Sequence, residues 1–312
     1  MRRLRTPALF AAVLALVLFA FAATSGRPAL AVGSQIRTFV ASTGSDANPC
    51  SRVAPCRTFG AALAQTASGG EIVALDSGGY GAVTISQAVT IVAAPGIQAS
   101  ISPSSGAAIT VSAGASDVVV LRNLYLNAQG GTYGVQYQAA AALHVEHLVI
   151  NGFTARGINM DLTTAADLYV ADTVVRNNGA SGIYVASASG IANVSIVRTL
   201  LQNNNYGVLV AENTRASVKD TIASGNGEVG FAASLSSTPV ELNLEGCVAS
   251  GNAFGIYASS SSTAIVRVSN CSVTGNGTGV SADGGGSTLS RGNNTVEGNA
   301  TDGTFSGSYA AK

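Results

Sequence analysis

Both histidines of the chain lie in the stretch Leu143-His144-Val145-Glu146-His147. His147 occupies the same slot of a recurring pattern as Asp172, Arg198 and Asp220. An imidazole changes charge near neutral pH and can take a proton as a general base, while a guanidinium can clamp a carboxylate. A His147–Asp172–Arg198–Asp220 column on successive repeats would bring those functions together, with Glu146, Lys219 and Glu245 beside it. The same column also reads as a solvated ladder of alternating charge in which like signs avoid stacking. Tyr184 and Tyr257 offer a different chemistry: outward phenol rings can stack on sugar rings. They lie three repeats apart, however, and scattered surface tyrosines are ordinary.

These residues must be positioned by a repeat. Marker glycines recur at Gly134, Gly157, Gly182, Gly207, Gly230, Gly255, Gly279 and Gly303, all but the last followed by an apolar residue, with intervals of 23, 25, 25, 23, 25, 24 and 24 residues. A fixed period in this range marks a solenoid in which each repeat stacks only on its neighbours. Within each repeat, apolar or small residues alternate, pause for two residues, and alternate again. Val119, Leu121, Leu124 and Leu126 form one such set, Leu168, Val170, Thr173 and Val175 a second, and Val266, Val268, Cys271 and Val273 the last. Period two on each side of a two-residue step means two short strands meeting at a bend. The segment after each marker glycine, as in Ile183/Val185 and Val208/Val210, supplies a third strand. The pattern predicts an all-β, single-stranded right-handed parallel β-helix with three short strands per coil. His147, Asp172, Arg198 and Asp220 fall at the outward bend.

Asn127, Asn151, Asn177, Asn203, Asn226, Asn252 and Asn276 are expected to share one turn as a structural ladder, because asparagine tolerates left-handed backbone and its amide can bond to those above and below. The marker glycines are assigned to a turn. Cys247 and Cys271 fall in equivalent inward slots on successive coils, close enough either for a disulfide or for two stacked buried thiols. Val149, Val174, Leu200, Ile222 and Val248 fall in one outward column yet are all apolar, a stripe that invites coverage by another segment or self-association.

The chain opens with Met-Arg-Arg-Leu-Arg, an apolar run over 8–23 and a small-residue stretch ending Ala29-Leu30-Ala31. This describes a secretory signal peptide cleaved after Ala31, and the apolar run is short for a membrane span of about 20 residues. The organisation expected is a signal peptide at 1–31, a cap at 32–70 and a β-helix at 71–312. Strands are expected at 38–42 and 71–75, and a cap helix over 57–66, ended by Ser68-Gly69-Gly70. Such a helix would cover the open end of the solenoid. In an exported protein, Cys50 and Cys56, flanked by Pro49 and Pro55, read as a local disulfide. Loss of four arginines with the signal leaves 12 basic against 16 acidic residues, a charge of −4. That balance gives no pull on nucleic acid, and it has the wrong sign for an acidic polymer.

Together, the segment Gly44-Ser45-Asp46-Ala47-Asn48-Pro49, the run Pro55-Cys56-Arg57-Thr58-Phe59, Gly69-Gly70-Glu71-Ile72 and the Asn-x-Gly-Ile repeats resemble the pectin-lyase-like right-handed parallel β-helix superfamily. The resemblance covers the chain from about Thr38 onward. It implies the fold and an exported bacterial protein. It does not deliver a function, since that superfamily holds lyases, hydrolases, epimerases, tailspikes and adhesins. The Asn-Thr-Asp, Gly-His-Gly and Arg-Ile-Lys segments of polygalacturonase-like enzymes are absent, as is an epimerase-like Asp-Pro-His. No cofactor is evident, and Ca²⁺ would enter only with lyase-like chemistry. The expectation is a secreted or periplasmic, non-catalytic protein that interacts with polysaccharide or acts as a surface scaffold. The rival is a divergent lyase or glycoside hydrolase acting on acidic polysaccharide through the His147 column.

Overall fold

Three parallel sheets run along the described chain, and each complete coil contributes one strand to each. The computed structural model describes residues 33–234, 238–259 and 264–310. The expected signal peptide lies outside them. The first sheet has 12 described strands, and the second and third have 10 each, all in an order that steps coil by coil. One coil shows the scheme. Ala166–Ala171 lies in the first sheet, Val174–Arg176 in the second and Ser181–Ser187 in the third, before Ala192–Val197 returns to the first. Like positions stack across coils: Leu168 faces Val194, Val175 faces Leu201 and Ile183 faces Val208.

The alternation places the core. Val119, Leu121, Leu124 and Leu126 are all buried, and so are their equivalents down to Val266, Val268, Cys271 and Val273. Where polar residues occupy inward slots, they bond locally: the Thr173 hydroxyl donates to the Ala171 carbonyl at 2.9 Å, and Thr199 and Thr221 repeat this on later coils. Burial of such hydroxyls is tolerated because each has a partner.

The cap differs in detail from expectation. The helix spans Phe59–Gln65, with Thr58 as N-cap accepting from the Ala61 N–H, and Phe59, Ala62 and Leu63 buried. It ends at Gln65, not at the glycines. Thr66 is extended, and its hydroxyl bonds to the Ala62 carbonyl and to the Thr38 hydroxyl, both at 2.7 Å. The chain thus passes directly into the strand Thr66–Ala74, which contains Ser68, Gly69 and Gly70. The first strand is Gln35–Val40, earlier than expected, because the Ser42 amide and hydroxyl are held by Asp76 instead. Cys50 and Cys56 form the expected disulfide, and the backbones of Phe39 and Ala41 bond to both ends of the loop.

Two turn assignments need correction. The asparagines form two ladders, not one. Asn127, Asn151, Asn177 and Asn203 link along the outside through their amides, while Asn178, Asn204, Asn226, Asn252, Asn276 and Asn299 form an inner ladder with amide–amide bonds of 2.9–3.2 Å. Asn177 and Asn203 take left-handed backbone at a turn slot held by Gly152, Gly225, Gly251 and Gly275 on other coils. Asn127 and Asn151 close their second-sheet strands one position earlier, and the inner asparagines from Asn178 to Asn276 are buried in the core. The marker glycines from Gly134 to Gly279 do not have positive φ. They are glycine because coils approach closely there: a Cβ at Gly207 would lie 2.4 Å from the Gly230 carbonyl oxygen.

Candidate functional site

The bend between the first and second sheets is a single left-handed residue on seven successive coils. Asn123, His147, Asp172, Arg198, Asp220, Gly246 and Asn270 all have φ between 47° and 64°. The sequence-derived register therefore brings His147, Asp172, Arg198 and Asp220 into one column. Within it, Arg198 binds Asp172 through two hydrogen bonds, Nε to Oδ1 at 2.7 Å and an Nη to Oδ2 at 2.8 Å. This pairing, first of all, holds the Asp172 carboxyl below its ordinary range. His147 Nε2 lies 3.9 Å from Asp172 Oδ2, and its side chain is 62% exposed. The guanidinium is thus committed to a neighbour and the imidazole stands in water. A shallow depression of about 290 Å³ adjoins His147, lined on its other sides by Gly96, Ile97, Gln98, Asn123, Tyr125 and Val149.

Glu146 is paired with Arg122 at 2.7 Å. His144 stacks on Tyr169, centroids 4.6 Å apart, in the first-sheet ladder. Tyr169 also walls a small depression of about 190 Å³ with Asn193, Ser195, Arg215, Ser217 and Asn243. The apolar column Val149, Val174, Leu200, Ile222 and Val248 is in register in the second sheet, with Ile222 42% exposed. Cys247 and Cys271 are free and buried, and the Cys247 N–H donates to Cys271 Sγ at 3.3 Å. The contact with Cys271 and burial push the Cys247 thiol far above its usual range, so it is chemically quiet.

The outer face of the third sheet is more distinctive. Tyr184 and Tyr257 share a column, three coils apart, with Leu209 and Ala232 between them. Sequence reasoning missed what joins them. Tyr206, from the residue column just before the marker glycines, leans over the same patch. Leu209, Val229 and Ala232 are buried as a cluster, and Tyr184, Tyr206 and Tyr257 pack against it. The signal was legible: Tyr133, Tyr206 and Phe254 each precede a marker glycine.

The rings are held in place. The Tyr257 hydroxyl donates to Asp283 Oδ2 at 2.6 Å, and Phe254 packs against Tyr257 with centroids 5.4 Å apart. Burial, followed by a hydrogen bond to Glu228, pushes the Tyr206 phenol up to about 12. The Arg156 guanidinium lies 3.7 Å from the Tyr184 ring centroid, while Nη1 donates to the Asn159 side chain. The result is a row of ring surfaces on an apolar floor, edged by carboxylates. Among the described residues, no three His, Cys, Asp or Glu side chains cluster as a metal site. Nor is any described helix long and apolar enough to cross a membrane.

A family model described as a right handed beta helix region matches residues 162–301. Among solved structures, pectate lyase Pel9A aligns with a TM-score of 0.51 at 18% identity, covering 89% of this chain and 80% of that one. A rhamnogalacturonan lyase aligns with a TM-score of 0.31 at 16% identity, covering 79% of this chain and 61% of that one. Comparison with curated proteins finds no significant match. The chain is a right-handed parallel β-helix, and its likeness to the pectin-lyase-like proteins is borne out as a likeness of fold.

Proposed function

We propose that this chain is an exported, non-catalytic β-helix that binds polysaccharide along the tyrosine row of the third sheet. The observation that carries the reading is the packing of Tyr184, Tyr206 and Tyr257 on one floor of Leu209, Val229 and Ala232. Phenol rings present a broad apolar surface with a polar tip, which suits the C–H face of a sugar and its hydroxyls together. Rings already pinned by Glu228, Asp283 and Arg156 lose little freedom on binding. The fold neighbour Pel9A is a pectate lyase, which sets polysaccharide as the ligand class to try first. The Cys50–Cys56 disulfide supports an oxidising, exported setting. The commitment of Arg198 to Asp172 favours a scaffold over a catalyst at the bend column.

Two assays test this. Affinity electrophoresis against a broad set of polysaccharides should retard the wild-type chain and not the Tyr184→Ala/Tyr257→Ala variant. Incubation with the same polymers, with and without Ca²⁺, should release neither new reducing ends nor unsaturated products. Absence of any retardation would overturn the binding role; product release lost in His147→Ala/Arg198→Ala would instead establish the bend column as an active site.

A further inference from the structure

The charge around the tyrosine row narrows the class of ligand, and this step rests on the binding role just proposed. Asp161 and Glu212 lie near Tyr184, Glu228 bonds to Tyr206, and Asp283 bonds to Tyr257. Within the described strands of the third sheet, Arg156 is the only basic residue. It is engaged by the Tyr184 ring and the Asn159 amide, so it is not free to meet an incoming carboxylate. Around the three tyrosines, on the strands and the turns beside them, four acids thus stand against one committed cation. The whole chain leans the same way once residues 1–31 are removed, at 12 basic against 16 acidic residues.

We propose that the ligand of this face is a neutral polysaccharide, one whose sugars carry hydroxyls but no uronate carboxylates. The chemistry on each side matches. Sugar hydroxyls donate, and carboxylate oxygens accept only, so Asp161, Glu212, Glu228 and Asp283 supply charge-assisted acceptors at the rim of the row. The rings and the floor of Leu209, Val229 and Ala232 supply the apolar counterpart to the pyranose face. A uronate would instead set its own negative charge among these acids. No cluster of described side chains stands ready to neutralise it with a metal ion. At the surface such like-charge contacts are individually modest, but they sum along a polymer and weaken as salt screens them.

Calorimetric titration of the full chain tests this, using β-glucan, mannan and xylan hexasaccharides against hexagalacturonate. At least one neutral oligomer should bind at least about ten times more tightly than hexagalacturonate, and added salt should narrow the gap. The variant Asp161→Asn/Glu212→Gln removes two charges without touching the Tyr206 or Tyr257 hydroxyl partners. It should strengthen hexagalacturonate binding several-fold while leaving ring stacking in place. Hexagalacturonate binding as tightly as the best neutral oligomer, and lost in Tyr184→Ala/Tyr257→Ala, would overturn the neutral specificity and leave the tyrosine row as a glycan site. Binding that survives Tyr184→Ala/Tyr257→Ala, or no binding by any oligomer, would overturn the row as a site and the specificity with it.

Discussion

Arg198 and Asp172 join successive coils through a two-point ion pair, with hydrogen bonds of 2.7 and 2.8 Å, although both sit in left-handed backbone. A planar guanidinium matches a carboxylate in this fork geometry, and the coil spacing brings the two side chains within reach. The pair fixes the middle of the bend column and sets the terms on which its other members act.

Removal of this pair should show in acid. The Asp172 carboxyl lies below its ordinary 3.8, chiefly through the Arg198 hydrogen bonds. Its contribution to stability is therefore present above that value and is lost as pH falls through the lowered one. Arg198→Ala should lower the urea midpoint at neutral pH, and the difference from wild type should shrink as pH falls below the ordinary carboxylate value of 3.8. An offset that persists unchanged into strong acid would point away from the ion pair.

His147 has a φ of 55°, which an L side chain adopts at a cost of roughly 1–2 kcal/mol. Gly246 holds the same slot four coils further on, with a φ of 64°. His147→Gly should therefore raise stability by about 1 kcal/mol, read from denaturant unfolding. A loss of stability would mean that the imidazole contributes contacts beyond its 3.9 Å approach to Asp172.

The marker glycines should be intolerant of the smallest side chain. In Gly207→Ala the new methyl would lie 2.4 Å from the Gly230 carbonyl oxygen and 3.1 Å from the Ala223 Cβ. Forcing adjacent coils apart should cost about 1–3 kcal/mol. Alanine at Gly152, whose Cβ would meet nothing within 4 Å, isolates the separate cost of a positive φ of 80°.

The two asparagine ladders should differ in weight. Asn226 is 1% exposed, and its amide donates to Asn252 at 2.9 Å and to the Leu201 carbonyl at 3.2 Å while accepting from Asn204. Asn226→Ala strands several buried partners and should cost at least about 2 kcal/mol. Asn177→Ala, in the outer ladder, should cost about 1 kcal/mol or less, since water can replace its bonds. Equal losses by thermal unfolding would contradict the division.

Alkaline titration reports on the tyrosine row. The Tyr206 phenol is raised to about 12 by burial and by Glu228. A raised phenol stabilises the fold fully below its ordinary 10.0, and the contribution is lost as pH climbs through the folded value. Tyr80 and Tyr137 are raised further still by burial, so ultraviolet titration should show one fewer late-ionising tyrosine in Tyr206→Phe than in wild type, and that variant should lose less stability between about pH 10 and pH 12. A wild-type phenol that ionises with the exposed tyrosines would remove Tyr206 from the packed row.

By itself, the sequence determined the coil. The alternation of buried residues reflects the two-residue period of a strand, and the intervals of 23–25 residues fix which residues stack. Because both are properties of local backbone geometry, Leu168 could be matched to Val194 and His147 to Asp172 without coordinates. Only the tertiary structure decided which asparagines turn inward, since Asn177 and Asn178 are neighbours of one type and differ only in backbone conformation. It also decided that the marker glycine answers to the carbonyl of the next coil, a contact some 25 residues away that no local pattern records. Tyr206 joined Tyr184 and Tyr257 for the same reason: side chains from different columns of the repeat meet only over a floor that separate coils supply.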